Sequence, residues 1–210
     1  MKVIVIGGGA AGMVAAISAK RNGADVIILE RNSRVGKKIL VTGNGRCNYT
    51  NKFLQLENYH GKNSKFVYSP LSQFGVEETI SFFETLGIAP AVEEGGKVFP
   101  LSFQASSVLD VLRYELEDLG IRILCDAFVK DVKKKSGEFL VQLSDGRKIN
   151  GDRVIIATGG KAMPSTGSDG NGYDLAKKLG HSIVEVFPGL VQLKLEENFL
   201  KSIAGVKVVG

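Results

Sequence analysis

An α/β domain built on a parallel sheet, with a small antiparallel meander beside it, is what this 210-residue sequence predicts. Three observations carry that expectation. Short apolar runs recur at Val3 to Ile6, Asp25 to Leu29 and Arg153 to Ala157, and unbroken runs of that length suit parallel strands covered on both faces. Glycine supplies 26 residues, about 12% against an ordinary share near 7%, without the period of collagen or the proline of a linker. Tight turns and close backbone approach to a ligand account for such a surplus in a core-rich chain. Finally, strand, helix and strand follow one another within the first thirty residues, a βαβ unit whose crossover is right-handed.

Taken in order, glycines end the first run, and Ala10 to Arg21 reads as a helix stopped by Asn22-Gly23. After the second strand, Arg31 to Ser69 has weak periodicity and much Gly, Asn and Lys, as in a long ligand-facing loop. Val76 to Leu86 is helical up to Gly87; Leu109, Leu112, Leu116 and Leu119 mark a second amphipathic helix ending at Gly120. Strands are expected at Arg122 to Leu124, Ala127 to Val132, Glu138 to Leu143 and Arg147 to Ile149, the last three as the meander. Following the Arg153 strand, a helix spans Tyr173 to Leu179, and short strands are expected at Ile183 to Val186, Val191 to Leu195 and Val206 to Val209.

The formal charge is +5, with an isoelectric point of about 9.1, so its distribution matters. Between Arg31 and Lys65 stand eight basic residues and one acid, Glu57, an excess of seven; the remainder carries two net negative charges. One basic segment suits a small anionic ligand, and no nucleic-acid partner is expected. Cys47 and Cys125 lie far apart, with only two histidines, so neither a disulfide framework nor a metal site is expected. The uncharged stretch Val3 to Ala19 looks superficially like an export signal, but its four glycines break the required helix. No membrane partner and a cytoplasmic location are the expectation.

Gly7-Gly8-Gly9-Ala10-Ala11-Gly12 has the G-x-G-x-x-G spacing directly after a strand and at the opening of a helix. Gly7 permits the turn, Gly9 leaves a pyrophosphate unobstructed and Gly12 lets helix and sheet approach. The phosphates would then meet free N–H groups at the positive helix end. Glu30, closing the second strand, is placed to accept the ribose hydroxyls. Cys47 reads as packing, and Tyr49 and Tyr59 as ordinary half-buried aromatics.

A second strand running into Ala157-Thr158-Gly159-Gly160 resembles the second fingerprint of flavoproteins with two dinucleotide-binding domains. The run Thr42 to Asn51 (T-G-N-G-R-C-N-Y-T-N) is more specific. With Gly36-Lys37-Lys38, Gly95 to Pro100 and Gly170 to His181, it resembles the BaiN/YhiN-like family of NAD(P)/FAD-dependent oxidoreductases, aminoacetone-oxidase-like flavoproteins. Lys97 departs from the arginine expected there, keeping charge but losing a bidentate fork.

That resemblance covers essentially the whole chain and implies a Rossmann-like FAD-binding domain over 1–188, with 189–210 as the truncated start of an inserted β-rich domain. It implies FAD held by Gly7, Gly9, Ala11 and Gly12 at the pyrophosphate, and by Glu30 with Arg31 beside the adenosine ribose. Lys38, Asn44, Gly45 and Arg46 would line the path to the flavin, Val129 would offer backbone to the adenine, and Thr158 with Gly159 would close the far side. The implied activity is hydride transfer between NAD(P)H or a small organic substrate and the flavin, with no catalytic residue assigned. Three alternatives stay open: an NAD-binding dehydrogenase domain, an RNA-modifying flavoprotein, and a non-catalytic truncated module. Self-association through an open C-terminal strand edge is a further expectation.

Overall fold

The computed structural model describes residues 1–191 together with 196, 199 and 202. In chain order its elements are β1 (Lys2–Ile6), α1 (Ala10–Arg21), β2 (Asp25–Leu29), β3 (Thr50–Asn51), α2 (Tyr68–Gln73), α3 (Val76–Thr85), β4 (Pro90–Val92), β5 (Lys97–Pro100), α4 (Ala105–Asp118), β6 (Arg122–Leu124), β7 (Val129–Lys135), β8 (Glu138–Leu143), β9 (Lys148–Gly151), β10 (Arg153–Ile156) and α5 (Asn171–Lys178), with short 3-10 turns between them.

The parallel sheet has the order β10-β1-β2-β6. Both faces are covered, and side chains alternate between them at period two. Val3, Val5, Val26 and Ile28 point to the α1 and α4 side, where they join Met13, Ile17, Leu112 and Leu116 in one core. Ile4, Ile6, Ile27 and Leu29 point the other way, onto Val132, Val141 and Leu143 of the antiparallel meander β7-β8-β9 and Leu175 of α5. An apolar strand in the middle of two cores needs no polar face, which is why these runs are unbroken.

A third sheet, β3-β5-β4, joins part of the expected 31–69 loop to a segment for which no strand is expected. Its strands are two to four residues long and Pro90 stands opposite Pro100. The expected loop of 31–69 is otherwise built of turns, with α2 starting at Tyr68. Ile183 to Val186 form no strand and make no backbone pairing among the described residues. Without a partner edge, a four-residue run gains no ladder hydrogen bonds. The strands expected over 191–195 and 206–209 lie outside the described residues, apart from Val191.

Candidate functional site

Register places the site. Ile6 pairs with Leu29 on one side and Ile156 on the other, so three parallel strands end level. Just past those ends come Gly7, Glu30 and Ala157. Gly7 N–H donates to the Leu29 carbonyl at 2.8 Å, and Ala157 N–H to the Ile6 carbonyl at 2.8 Å.

The glycines of the turn have different physical reasons. Gly7 has φ +105°, and a side chain there would run into the Ala157 backbone. On Gly12 it would run into the Gly7 carbonyl. Gly9 has φ −79° and ψ −174°, which any residue adopts, and a Cβ there meets nothing within 4 Å. Neither backbone nor packing requires glycine at position 9, and the space over it is open. That space belongs to a cavity of about 1000 Å³, at the large end for ligand sites. Gly9 also caps α1 without a side chain, and no acid stands in the first turn. The helix therefore offers its N–H groups and positive pole to an anion.

The cavity brings together Gly7, Gly9, Ala11, Glu30 and Arg31 with Lys38, Val129, Thr158 and Gly159. Gly12 sits beneath the turn. Asn44, Gly45 and Arg46 do not line the cavity. Arg46 instead bonds the Glu93 carboxylate at 2.6 Å and lies 4.2 Å over the Phe99 ring. Its turn is left-handed at Gly43, Asn44, Gly45 and Cys47, and it presents the flanking Thr42, Cys47 and Asn48 to the cavity. All three stand within the Thr42 to Asn51 run; the sequence reading gives Cys47 a packing role and Thr42 and Asn48 none. Tyr49, Phe74, Phe82 and Phe83 also line the cavity; the sequence reads Tyr49 as an ordinary aromatic and places Phe82 and Phe83 only in a helix.

Glu30 is 6% exposed. Its Oε2 accepts the Gly8 N–H at 2.7 Å; its Oε1 accepts the Asn32 N–H at 2.8 Å and the Asn32 side-chain amide at 2.6 Å. The residues after it are tied to a strap, 159–170. Arg31 bonds Asp169 at 2.6 Å and lies 4.7 Å over Phe128, Asn32 Nδ2 reaches the Thr166 carbonyl at 3.2 Å, and Lys38 donates to the Ala162 carbonyl at 2.7 Å. The hydrogen bond from Arg31 holds the Asp169 carboxyl below its ordinary range, against a smaller opposing effect of desolvation.

Burial pushes the Cys47 thiol up, opposed by a hydrogen bond with Thr42. Burial, then Glu30 and Asp126, push up Cys125. Both are therefore held as neutral thiols, poor nucleophiles. Tyr49 is pushed up to about 12, first by burial and then by the charge of Glu84 and of Cys47; its hydroxyl is enclosed without a hydrogen-bond partner. Among the described residues no cluster of His, Cys, Asp and Glu could hold a metal. No helix among them is long and apolar enough to cross a membrane.

Comparison with known proteins adds to this geometry. The family model described as HI0933-like protein Rossmann domain matches residues 1–210. A 3-dehydro-bile acid delta(4,6)-reductase of Clostridium scindens is 45% identical over 208 residues, covering 98% of this chain and 50% of that protein. A ribosomal RNA dihydrouridine synthase of Escherichia coli is 32% identical over 208 residues, covering 98% and 52%. The chain thus spans about half the length of the curated relatives it matches. Among solved structures, an open flavocytochrome c3 fumarate reductase superposes with a TM-score of 0.60 at 21% identity, over 86% of this chain and 40% of the other. This likeness is one of fold.

Proposed function

The chain belongs to the HI0933-like Rossmann-domain family, and from that premise we propose that its cavity binds FAD as part of a flavin-dependent oxidoreductase. Gly9 carries the reading: a glycine that neither backbone nor packing demands stands at a helix N-terminus under open space. The pyrophosphate fits over Gly9 and Ala11, with Gly7 and Gly12 making the turn close enough. Glu30 takes the adenosine ribose with Arg31 beside it, Val129 offers backbone to the adenine, and Lys38, Thr158 and Gly159 line the way to the ring end. Asn44, Gly45 and Arg46 act through the turn that carries Thr42, Cys47 and Asn48.

Bound FAD supplies hydride exchange at the flavin, and the protein supplies orientation and exclusion of water. The aromatic side chains lining the cavity support an apolar organic substrate, and the Clostridium relative, a reductase by name, supports reductive chemistry. NAD(P)H is the proposed donor and the cytoplasm the proposed location. Residues 1–188 are the FAD-binding unit in this reading and 189–210 the opening of a further β-rich one. Reconstitution followed by mass spectrometry of the released ligand tests it: FAD is expected, and a nicotinamide dinucleotide with no flavin overturns it.

A second reading, an enzyme acting on RNA, is favoured by the Escherichia relative and a Haemophilus influenzae one, 29% identical, of the same name. Against it, four of the eight basic residues in 31–65 are engaged within the protein: Arg31, Lys37, Lys38 and Arg46. RNA binding that falls steeply with salt would favour this reading.

A further inference from the structure

We propose that Asn32 couples a ribose bound at Glu30 to closure of the 159–170 strap over the cavity. The inference rests on the cavity being an adenine-nucleotide site, whichever dinucleotide fills it.

An ionised carboxylate has about four acceptor positions. Three donors already use Glu30: the Gly8 N–H, the Asn32 N–H and the Asn32 side-chain amide. A ribose diol brings two more, so five donors compete for four places and one must leave. The two backbone donors are fixed by the glycine turn and by the chain at the end of β2. The Asn32 side chain is the one free to move.

Its next partner is already in place. Nδ2 carries two hydrogens and donates to Glu30 Oε1 at 2.6 Å and to the Thr166 carbonyl at 3.2 Å, a bridge held closer to the carboxylate than to the strap. Lys37 Nζ on Oδ1, at 3.2 Å, fixes the amide orientation so that Nδ2 faces both acceptors. Gly167 leaves the room: the position of its absent Cβ lies against Asn32 Nδ2. When ribose hydroxyls occupy Glu30, the amide loses its hold on the carboxylate and can shorten its existing bond to the strap. Arg31 with Asp169 and Lys38 with Ala162 already dock that strap, so a short movement closes it. Linkage makes the effect mutual, since a closed strap favours the bound ribose.

Hydrogen exchange of the chain with ADP, the half shared by adenine dinucleotides, tests this against 2′,3′-dideoxyadenosine diphosphate at equal saturation. ADP is expected to slow exchange across 160–170 about fivefold or more, while the dideoxy nucleotide leaves it within about twofold. In Asn32→Ala, ADP is expected to bind without protecting the strap. Equal protection by the two nucleotides, or undiminished protection in the variant, overturns the coupling and leaves the nucleotide site standing. A folded chain that binds no ADP in calorimetry overturns both.

Discussion

The carbonyl oxygen of Gly7 stands where a side chain on Gly12 would have to go, whereas nothing stands over Gly9. The two glycines therefore separate by experiment. Gly12→Ala is expected to destabilise the fold by about 1–3 kcal/mol, as overpacking does. Gly9→Val loses about 1 kcal/mol as a poorer helix cap, yet removes nearly all FAD retention. Denaturant titration beside flavin titration reads both; equal effects of the two variants on each would contradict the assignment.

Asp169 provides a pH test. Its folded carboxyl is lowered by Arg31, so its contribution is complete above the unfolded value near 3.9 and is lost as pH falls through the lowered one. The Arg31 link should thus hold from neutrality to below about pH 4. Both side chains are at least a third exposed, so the effect on global stability is small. Carboxyl NMR titration should place the Asp169 midpoint below the ordinary range and return it there in Arg31→Gln.

Tyr49 tests the opposite end of the scale. An enclosed hydroxyl without a partner costs about 1–3 kcal/mol, so Tyr49→Phe should leave the melting temperature unchanged or raise it. The raised pKa of about 12 means that the unfolded tyrosine, near 10, ionises first. Stability from this group is full below pH 10 and is lost as pH rises toward 12. The phenylalanine variant should lose less over that interval.

Arg46 distinguishes shaping a turn from touching a ligand. Removing its guanidinium from Phe99 and Glu93 should cost about 1 kcal/mol. FAD affinity in Arg46→Ala should stay within about twofold, measured by flavin titration. A tenfold loss with unchanged stability would put its side chain against the ligand.

The central strands were legible because their side chains enter two cores, leaving runs without polar interruption; the meander was legible because its strands alternate around a turn at Asp145-Gly146. Gly7 and Gly12 could be read from spacing because each answers a close backbone approach, to Ala157 and to the Gly7 carbonyl. The β3-β5-β4 sheet could not, since Thr50–Asn51 gains strand character only from Lys97–Val98 across the fold. Nor could Arg46, where a basic residue in a glycine-rich turn reads as an anion contact until Phe99 and Glu93 are brought beside it. Asn32 was hidden for the same reason: its partner Thr166 lies far along the chain.

The pairing of β1 with β10 also sets an order of events during synthesis. The glycine turn is made some 150 residues before the wall formed by Ala157 to Gly159, about 8–30 s at ordinary elongation rates. Until then β1 has an open edge and the nascent chain has no complete pocket. Cofactor capture is consequently a late event, and a nucleotide waiting in solution stabilises the finished domain by mass action without helping its first half to fold.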